Sequence, residues 1–521
     1  MNTSSLPRRS VLRTLALAVA LVGSATPAWD TTAFAAEPTT YALTITHLNR
    51  TGHKTGNYAT NVTGISGPGA DEAVHPYDAS GTTTVRLPRG RYLLDSSLTT
   101  GNEADGTDWI VQPRLDLDRD TTITVDARTT VPVDVRPPDG SAGFLHSAMF
   151  VEVTHDGATR DANLINSSSN LRVAHLGPDS EPGSVKQWFD AYWSTKTAGY
   201  ALGYTFTGPR ALTGLTRHPS PKDLATVQIR GAARPGAPGT ASVDLQPSAG
   251  PTVGVAQMLA TPGTATYLVT PERGTWDISY STPGTPGAAS SRYSADGVAV
   301  RAGGTTTHTF DNAVFGPDLT GRPGVVRDGN RVTVDVPLLA DGDGHVPWSP
   351  QFSTASTTLY RDGVRVATKA GAPGRAAFNV PSGRAAYRLT STVNRKGAPG
   401  VATRVTTAWT FTSDRTTGPV PVPVSAVRFS PELSPTGTAA ANAALRVPVT
   451  VMGAAADGRV RSLAVSVSVD NGVSWTRVPV ENGAVTIHNP NADTGVSLRA
   501  KLTDTDGNTL TQTVIDAYRT R

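Results

Sequence analysis

The densest group of metal-binding and proton-handling side chains in this 521-residue chain is Asp341-Gly-Asp-Gly-His345. A calcium loop needs several oxygen ligands at alternating positions and a distal bidentate acid. Here only Asp341 and Asp343 alternate and no Glu follows at a suitable distance, so the run reads as a solvated turn. Leu115-Asp-Leu-Asp-Arg-Asp120 alternates acids with leucines, the pattern of a strand with one solvated face. The histidines, His47, His53, His75, His146, His155, His175, His218, His308, His345 and His488, are scattered, with no His-x-Glu-x-x-His pair to chelate zinc. Gly64-Ile-Ser-Gly-Pro68 is not a nucleophile elbow, because Pro68 stands where glycine is required. Cysteine is absent, which excludes disulfides, thiolate nucleophiles and cysteine metal sites. The expectation is a chain with no catalytic residue, no metal and no cofactor. An enzyme would need a site assembled from distant segments, and residues 138–318 are the place for it.

Two other groups carry recognition chemistry. Ser468-Val-Asp-Asn-Gly-Val-Ser-Trp475 fits the Asp-box pattern Ser-x-Asp-x-Gly-x-Ser/Thr-Trp. Its residues Ser468, Asp470, Gly472, Ser474 and Trp475 suit a hairpin turn in which Asp470 accepts backbone N–H bonds and Gly472 supplies the turn conformation, with Trp475 packed beneath. A single copy reads as a structural element. Thr503-Asp-Thr-Asp-Gly-Asn508 is a similar turn. The second group is Trp188-Phe-Asp-Ala-Tyr-Trp193, dense in a chain with only 6% aromatic residues. Two uses are open to it: Trp188, Tyr192 and Trp193 line a stacking platform for a sugar or peptide, or they belong to a core.

The elements that must position these residues are strands. Tyr41, Leu43 and Ile45 share one face of a period-two segment, and Tyr200, Leu202, Tyr204 and Phe206 share another. Asp362-Gly363 between two short alternating runs predicts a hairpin, since both turn positions require positive φ. The nearest approach to a helix is a short turn around 184–191. The fold class expected is all-β, with sandwiches in series. Pro/Gly clusters divide the chain into 1–35, 36–137, 138–318, 319–418 and 419–521. Thr416-Thr-Gly-Pro-Val-Pro-Val-Pro423 reads as a stiff extended linker.

Residues 1–35 read as an export signal. Arg8-Arg9 precede the apolar run Thr14–Gly23, which is too short to span a bilayer, and Ala33-Phe-Ala35 offers a cleavage site. The paired arginine fits the twin-arginine route, although Val11 departs from its preferred Phe. The net charge of +4 is small, and no basic run interleaves with aromatics, so nucleic acid is not an expected partner. No membrane anchor is expected either. The partner expected is an unknown extracellular protein or polysaccharide.

A family resemblance sits mainly in the C-terminal part. The octet at Ser468, Val496-Ser-Leu-Arg-Ala-Lys501, the turn at Thr503–Asn508 and Ala517-Tyr518 are similar to the last domain of large secreted actinobacterial subtilisin-type serine peptidases. Thr358-Leu-Tyr-Arg-Asp-Gly363, Ala386-Tyr-Arg-Leu-Thr390, Ala408–Ser413 and Arg446-Val-Pro-Val-Thr450 resemble the same tails. Pro88-Arg-Gly-Arg-Tyr92 looks like an edge of prealbumin-like and carboxypeptidase-regulatory-like sandwiches, in which Gly90 turns the chain and Tyr92 enters the core. Together these resemblances imply tandem β-sandwiches of prealbumin-like and immunoglobulin-like kind. The His-Gly-Thr and Gly-Thr-Ser-Met-Ala settings of a subtilase triad are missing, so the resemblance brings β domains and no peptidase activity. It implies a secreted non-enzymatic accessory or interaction module. A hydrolase with its site in 138–318 and a carbohydrate-binding protein are the alternatives.

Overall fold

In the computed structural model the described residues are 39–99, 101, 106–233, 238–283, 291–395 and 401–521, so the expected export signal and its cleavage site lie outside them. Among these residues the regular structure consists of strands and three single-turn 3-10 segments. The chain is all-β, with its sheets packed in sandwiches along the sequence.

The described residues between 40 and 310 form four sheets. The first pairs Thr40–Leu48 with Thr82–Pro88 antiparallel and with Thr121–Asp126 parallel. The second has seven strands, ordered 215–217, 131–135, 171–175, 107–117, 90–99, 58–66 and 73–74. A third, also of seven, is centred on Val185–Ser194 and Gly199–Gly208, and a fourth has four strands centred on Gly239–Pro247 and Thr275–Thr282. Three apolar cores fill the spaces between consecutive sheets. Leu43, Ile45, Tyr92 and Leu94 lie in the first core, and Leu93, Trp109, Phe189 and Leu202 in the second. Ala201, Val227, Trp276 and Phe310 belong to the third.

The middle sheets are therefore buried on both faces. In Gly90–Thr99, Tyr92 and Leu94 point to one core while Leu93 points to the next. The Pro88–Tyr92 corner closes by a hydrogen bond from the Tyr92 hydroxyl to the Pro88 carbonyl (2.6 Å), with Tyr92 fully buried.

Residues 314–521 share one core among three further sheets. Strand pairing crosses two of the sequence-derived boundaries. Leu171–His175 joins Thr107–Leu117 in parallel, and Arg404–Ser413 pairs with Thr509–Thr520. The hairpin at Asp362-Gly363 has φ of 49° and 80° at its two central residues, both positive as that turn demands.

Two expectations about local structure are corrected. The segment 184–191 is no turn: Val185–Ser194 is a central strand, because its alternate residues can be buried in two cores at once. Thr416–Pro423 bends at Thr417–Gly418, and it is no free linker. Val420–Pro421 pairs with Val325–Asp328, and Val422 N donates to Val325 O at 2.7 Å. This is an edge position, where a proline that cannot donate is tolerated.

Candidate functional site

Asp341 and His345 occupy the junction between the two groups of sheets, and of the turn holding them only Asp343 is exposed. Asp341 is fully buried, and the His345 side chain is 13% exposed. The Asp341 carboxylate accepts N–H bonds from His345 (2.8 Å), Asp311 (3.0 Å) and Asp343 (3.2 Å). His345 Nδ1 lies 3.2 Å from the same carboxylate. Its ring stacks on Phe310 with centroids 4.2 Å apart, and Phe310 stacks on Tyr280. The Tyr293 hydroxyl donates to Asp311 at 2.8 Å. From the other side Arg428 Nη1 donates to the Asp341 carbonyl at 2.8 Å, while its Nη2 pairs with Asp318.

Burial raises the Asp341 pKa, and hydrogen bonds from His345 and the backbone offset only part of this. For His345 burial works against the charged ring, but the hydrogen bond and attraction from Asp341 outweigh it and the pKa rises. Every acceptor site of Asp341 is used inside the protein. The cluster organises a joint. Among the described residues no group of three or more His, Cys, Asp or Glu side chains is placed to hold a metal ion.

The region 138–318 holds a second buried acid. Arg273 donates from Nε to Asp190 Oδ1 (2.9 Å) and from Nη2 to Oδ2 (3.2 Å), with both side chains about 1% exposed. Burial lifts the Asp190 pKa to about 6 against the pull of Arg273. Four of the five histidines of this region, all but His308, stay apart in role. His146 bonds the Val253 carbonyl (3.2 Å) and stacks on Tyr192. His175 accepts from Ala211 N (3.1 Å) and contacts the Gly177 carbonyl (3.0 Å), so backbone engages both ring nitrogens. His155 sits with Arg91 and Glu181, and His218 pairs with Asp134 at 3.0 Å.

The stacking platform of Trp188, Tyr192 and Trp193 does not form. Tyr192 and Trp193 are 4% and 6% exposed and, as neighbours on one strand, enter different cores. Trp188 is half-buried. No joint aromatic face is left for a ligand.

The Asp-box octet folds into a tight surface turn. Asn471 and Gly472 have φ of 56° and 86°. Asp470 accepts Ser474 N at 2.9 and 3.0 Å and is met by the hydroxyls of Ser468 (2.6 Å) and Ser474 (2.5 Å). Hydrogen bonds from Ser468 and Ser474 draw the Asp470 pKa down to about 2. Trp475 is half-buried, donates to the Gly472 carbonyl at 2.9 Å, and carries the Arg499 guanidinium 3.9 Å above its ring. Asp504 does comparable work in the next hairpin, accepting Asn508 N (2.8 Å) and Asp506 N (3.0 Å). Asp116, Asp118 and Asp120 lie on the solvated face of their segment.

Comparison with known proteins adds little to this geometry. No family model and no curated protein matches the chain. Among solved structures it is similar to the Bacillus anthracis TIE protein, at 13% identity over 69% of this chain and 66% of that one, with a TM-score of 0.13. It spans just under two thirds of that protein. The Streptococcal ancillary pilin aligns at 10% identity over 52% of this chain and 99% of its own, again with a TM-score of 0.13. Overlap at this level assigns neither family nor activity.

Proposed function

We propose that this chain is a secreted, non-enzymatic multi-domain β protein that serves as an accessory or interaction module, related in kind to the tails of secreted subtilases. One observation carries the reading: two deeply buried carboxylates of the fold are held by structural partners. Asp190 is gripped by Arg273, and Asp341 by three backbone N–H groups and His345. A general base has to reach a substrate proton, and neither carboxylate has a free lone pair turned to an accessible surface. The Arg8-Arg9 signal and the C-terminal resemblance support export; the apolar run is shorter than a spanning segment.

The test pairs activity with capture. Purified mature protein is assayed on casein, peptidyl anilides and esters beside alanine variants at His146, His155, His175 and His218. It is also immobilised and exposed to culture filtrate and to polysaccharides. Selective retention of a partner without turnover is the expected result. Turnover that survives purification and disappears in one folded histidine variant overturns the proposal.

A further inference from the structure

An exposed tryptophan outside all the groups singled out by the sequence marks a binding cleft. The Trp348 side chain is 74% exposed, whereas Trp109, Trp276 and Trp409 are almost wholly buried. A lone exposed ring is ordinary on a mobile loop, but this loop is fastened. Trp348 N donates to the Arg292 carbonyl (2.8 Å), Ser291 Oγ to the Ser349 carbonyl (3.1 Å), and Gln351 Nε2 to the Pro283 carbonyl (3.3 Å). Pro347 and Pro350 flank the ring and limit the backbone further. The backbone that carries the exposed indole is thus fastened, which lowers the ordering cost of binding.

The ring divides two unlike surfaces. On one side is an apolar groove of about 360 Å³ lined by Leu338, Leu339, Phe352 and Pro373. On the other is a polar cleft of about 710 Å³ containing Ser294, Asp296, Thr320, Arg322 and Arg375. Arg322 and Arg375 are set in place by one shared carboxylate, Asp335, at 3.2 and 3.0 Å, which leaves further N–H donors free to point elsewhere. In the lining itself Arg322 and Arg375 are matched by Asp296 and Asp318, and His345 is matched by Asp341 behind it.

We infer that this cleft binds a neutral polysaccharide, with a pyranose ring stacked on Trp348 and its hydroxyls reaching Asp296, Arg322 and Arg375. A sugar ring has an apolar C–H face and a rim of hydroxyls that both donate and accept, which matches an aromatic plate between an apolar and a polar wall. Balanced fixed charge favours an uncharged ligand over an anionic or cationic one. A proline-rich peptide fits less well, because its prolines supply only carbonyl acceptors and leave Asp296 without a donor. The combined volume suits a short run of sugar units. Another cleft, of about 560 Å³ between Arg230–Gly231 and Pro431–Pro435, has no aromatic ring in its lining and offers no such plate.

This inference rests on the reading of the chain as an interaction module, and the experiment separates the two. The full mature protein is tested for retention on cellulose, chitin and starch, and by calorimetry with cellohexaose, chitohexaose, maltohexaose and a decaproline peptide. The variants are Trp348→Ala, Arg375→Ala and, as a distant control, Val473→Ser on the exposed octet turn. Expected are binding to at least one polysaccharide, affinity weakened roughly tenfold or more in the first two variants, unchanged binding in the third, and wild-type melting curves throughout. Polysaccharide binding unaffected by Trp348→Ala overturns the site and leaves the module reading standing. Retention on none of the glycans, or Trp348-dependent binding of decaproline alone, overturns the ligand class. Release of soluble sugar with time overturns the module reading itself.

Discussion

Arg273, at the end of the turn Pro271–Arg273, and Asp190, on the third sheet's strand Val185–Ser194, form a two-pronged ion pair 2.9 and 3.2 Å apart, with solvent reaching about 1% of either side chain. Arg273 also reaches Thr205 Oγ1 (3.3 Å) and the Pro251 carbonyl (3.2 Å), so it fixes the loop that follows Gly239–Pro247. Removing one partner of such a pair leaves a buried charge without compensation. Replacing both by apolar residues can be close to neutral.

Arg273→Leu is therefore expected to cost about 3–5 kcal/mol in urea unfolding. The double variant Asp190→Leu/Arg273→Leu should recover a large part of that loss. Equal destabilisation of single and double variants would show that packing around the loop, and not charge, sets the cost.

His47 provides an acid-sensitive core in the first sandwich. It is fully buried, its Nε2 meets Thr60 Oγ1 at 2.7 Å, and its ring stacks 3.5 Å from Tyr58. Burial lowers its pKa to about 4, with a smaller opposing effect from the Gly81 backbone. The unfolded chain takes up a proton near pH 6.5, while the folded chain resists until about pH 4. Stability is thus expected to fall as pH drops through that window, by about 3 kcal/mol for this group. His47→Gln should flatten the acid limb of a stability–pH curve. A variant with the same acid limb as wild type would assign the loss to other groups.

The octet turn is held by hydrogen bonds at the surface, so its loss should be local. Asp470→Ala is expected to speed amide exchange at Gly472 and Ser474 while the global urea midpoint moves little. Because the folded Asp470 pKa is depressed to about 2, its contribution is present above the ordinary carboxylate range and is lost as pH falls through about 2. Slow exchange at Ser474 in the variant would mean that the backbone alone sets the turn.

What can be read from the chain before folding is what depends on neighbours in sequence. Leu43 and Ile45 share a face because alternation dictates it, Tyr92 enters the core at a Pro-Arg-Gly-Arg-Tyr corner, and Asp362-Gly363 turns because both residues accept positive φ. What escapes depends on partners far away. Asp341 looks solvated within Asp-Gly-Asp-Gly-His, yet it is sealed by Phe310, Asp311 and an arginine 87 positions on. The Trp188–Trp193 segment gives no sign that sheets pack against both its faces. Trp348 carries no local signal at all, since only the fastening of its loop to Ser291 and Arg292 gives its exposure meaning.

The junction cluster gives the last prediction. Asp341 is the common acceptor for backbone N–H groups of Asp311, Asp343 and His345, so one side chain ties the end of the third sheet to the turn before Trp348. Asp341→Ala strands these donors and should cost about 2–5 kcal/mol. Asp341→Asn keeps an acceptor but brings an amide donor towards one of the N–H groups, so an intermediate loss is expected. The pH dependence has the opposite sign to that of His47. The folded His345 pKa is raised, so its stabilising charge is fully present below about pH 6.5 and is lost as pH climbs through the higher folded value. Limited proteolysis between residues 311 and 345, followed from pH 6 to pH 8, should then show faster cleavage at the alkaline end in wild type and fast cleavage throughout in Asp341→Ala. Cleavage independent of pH in wild type, with the alanine variant as stable as its parent, would remove the cluster from the joint.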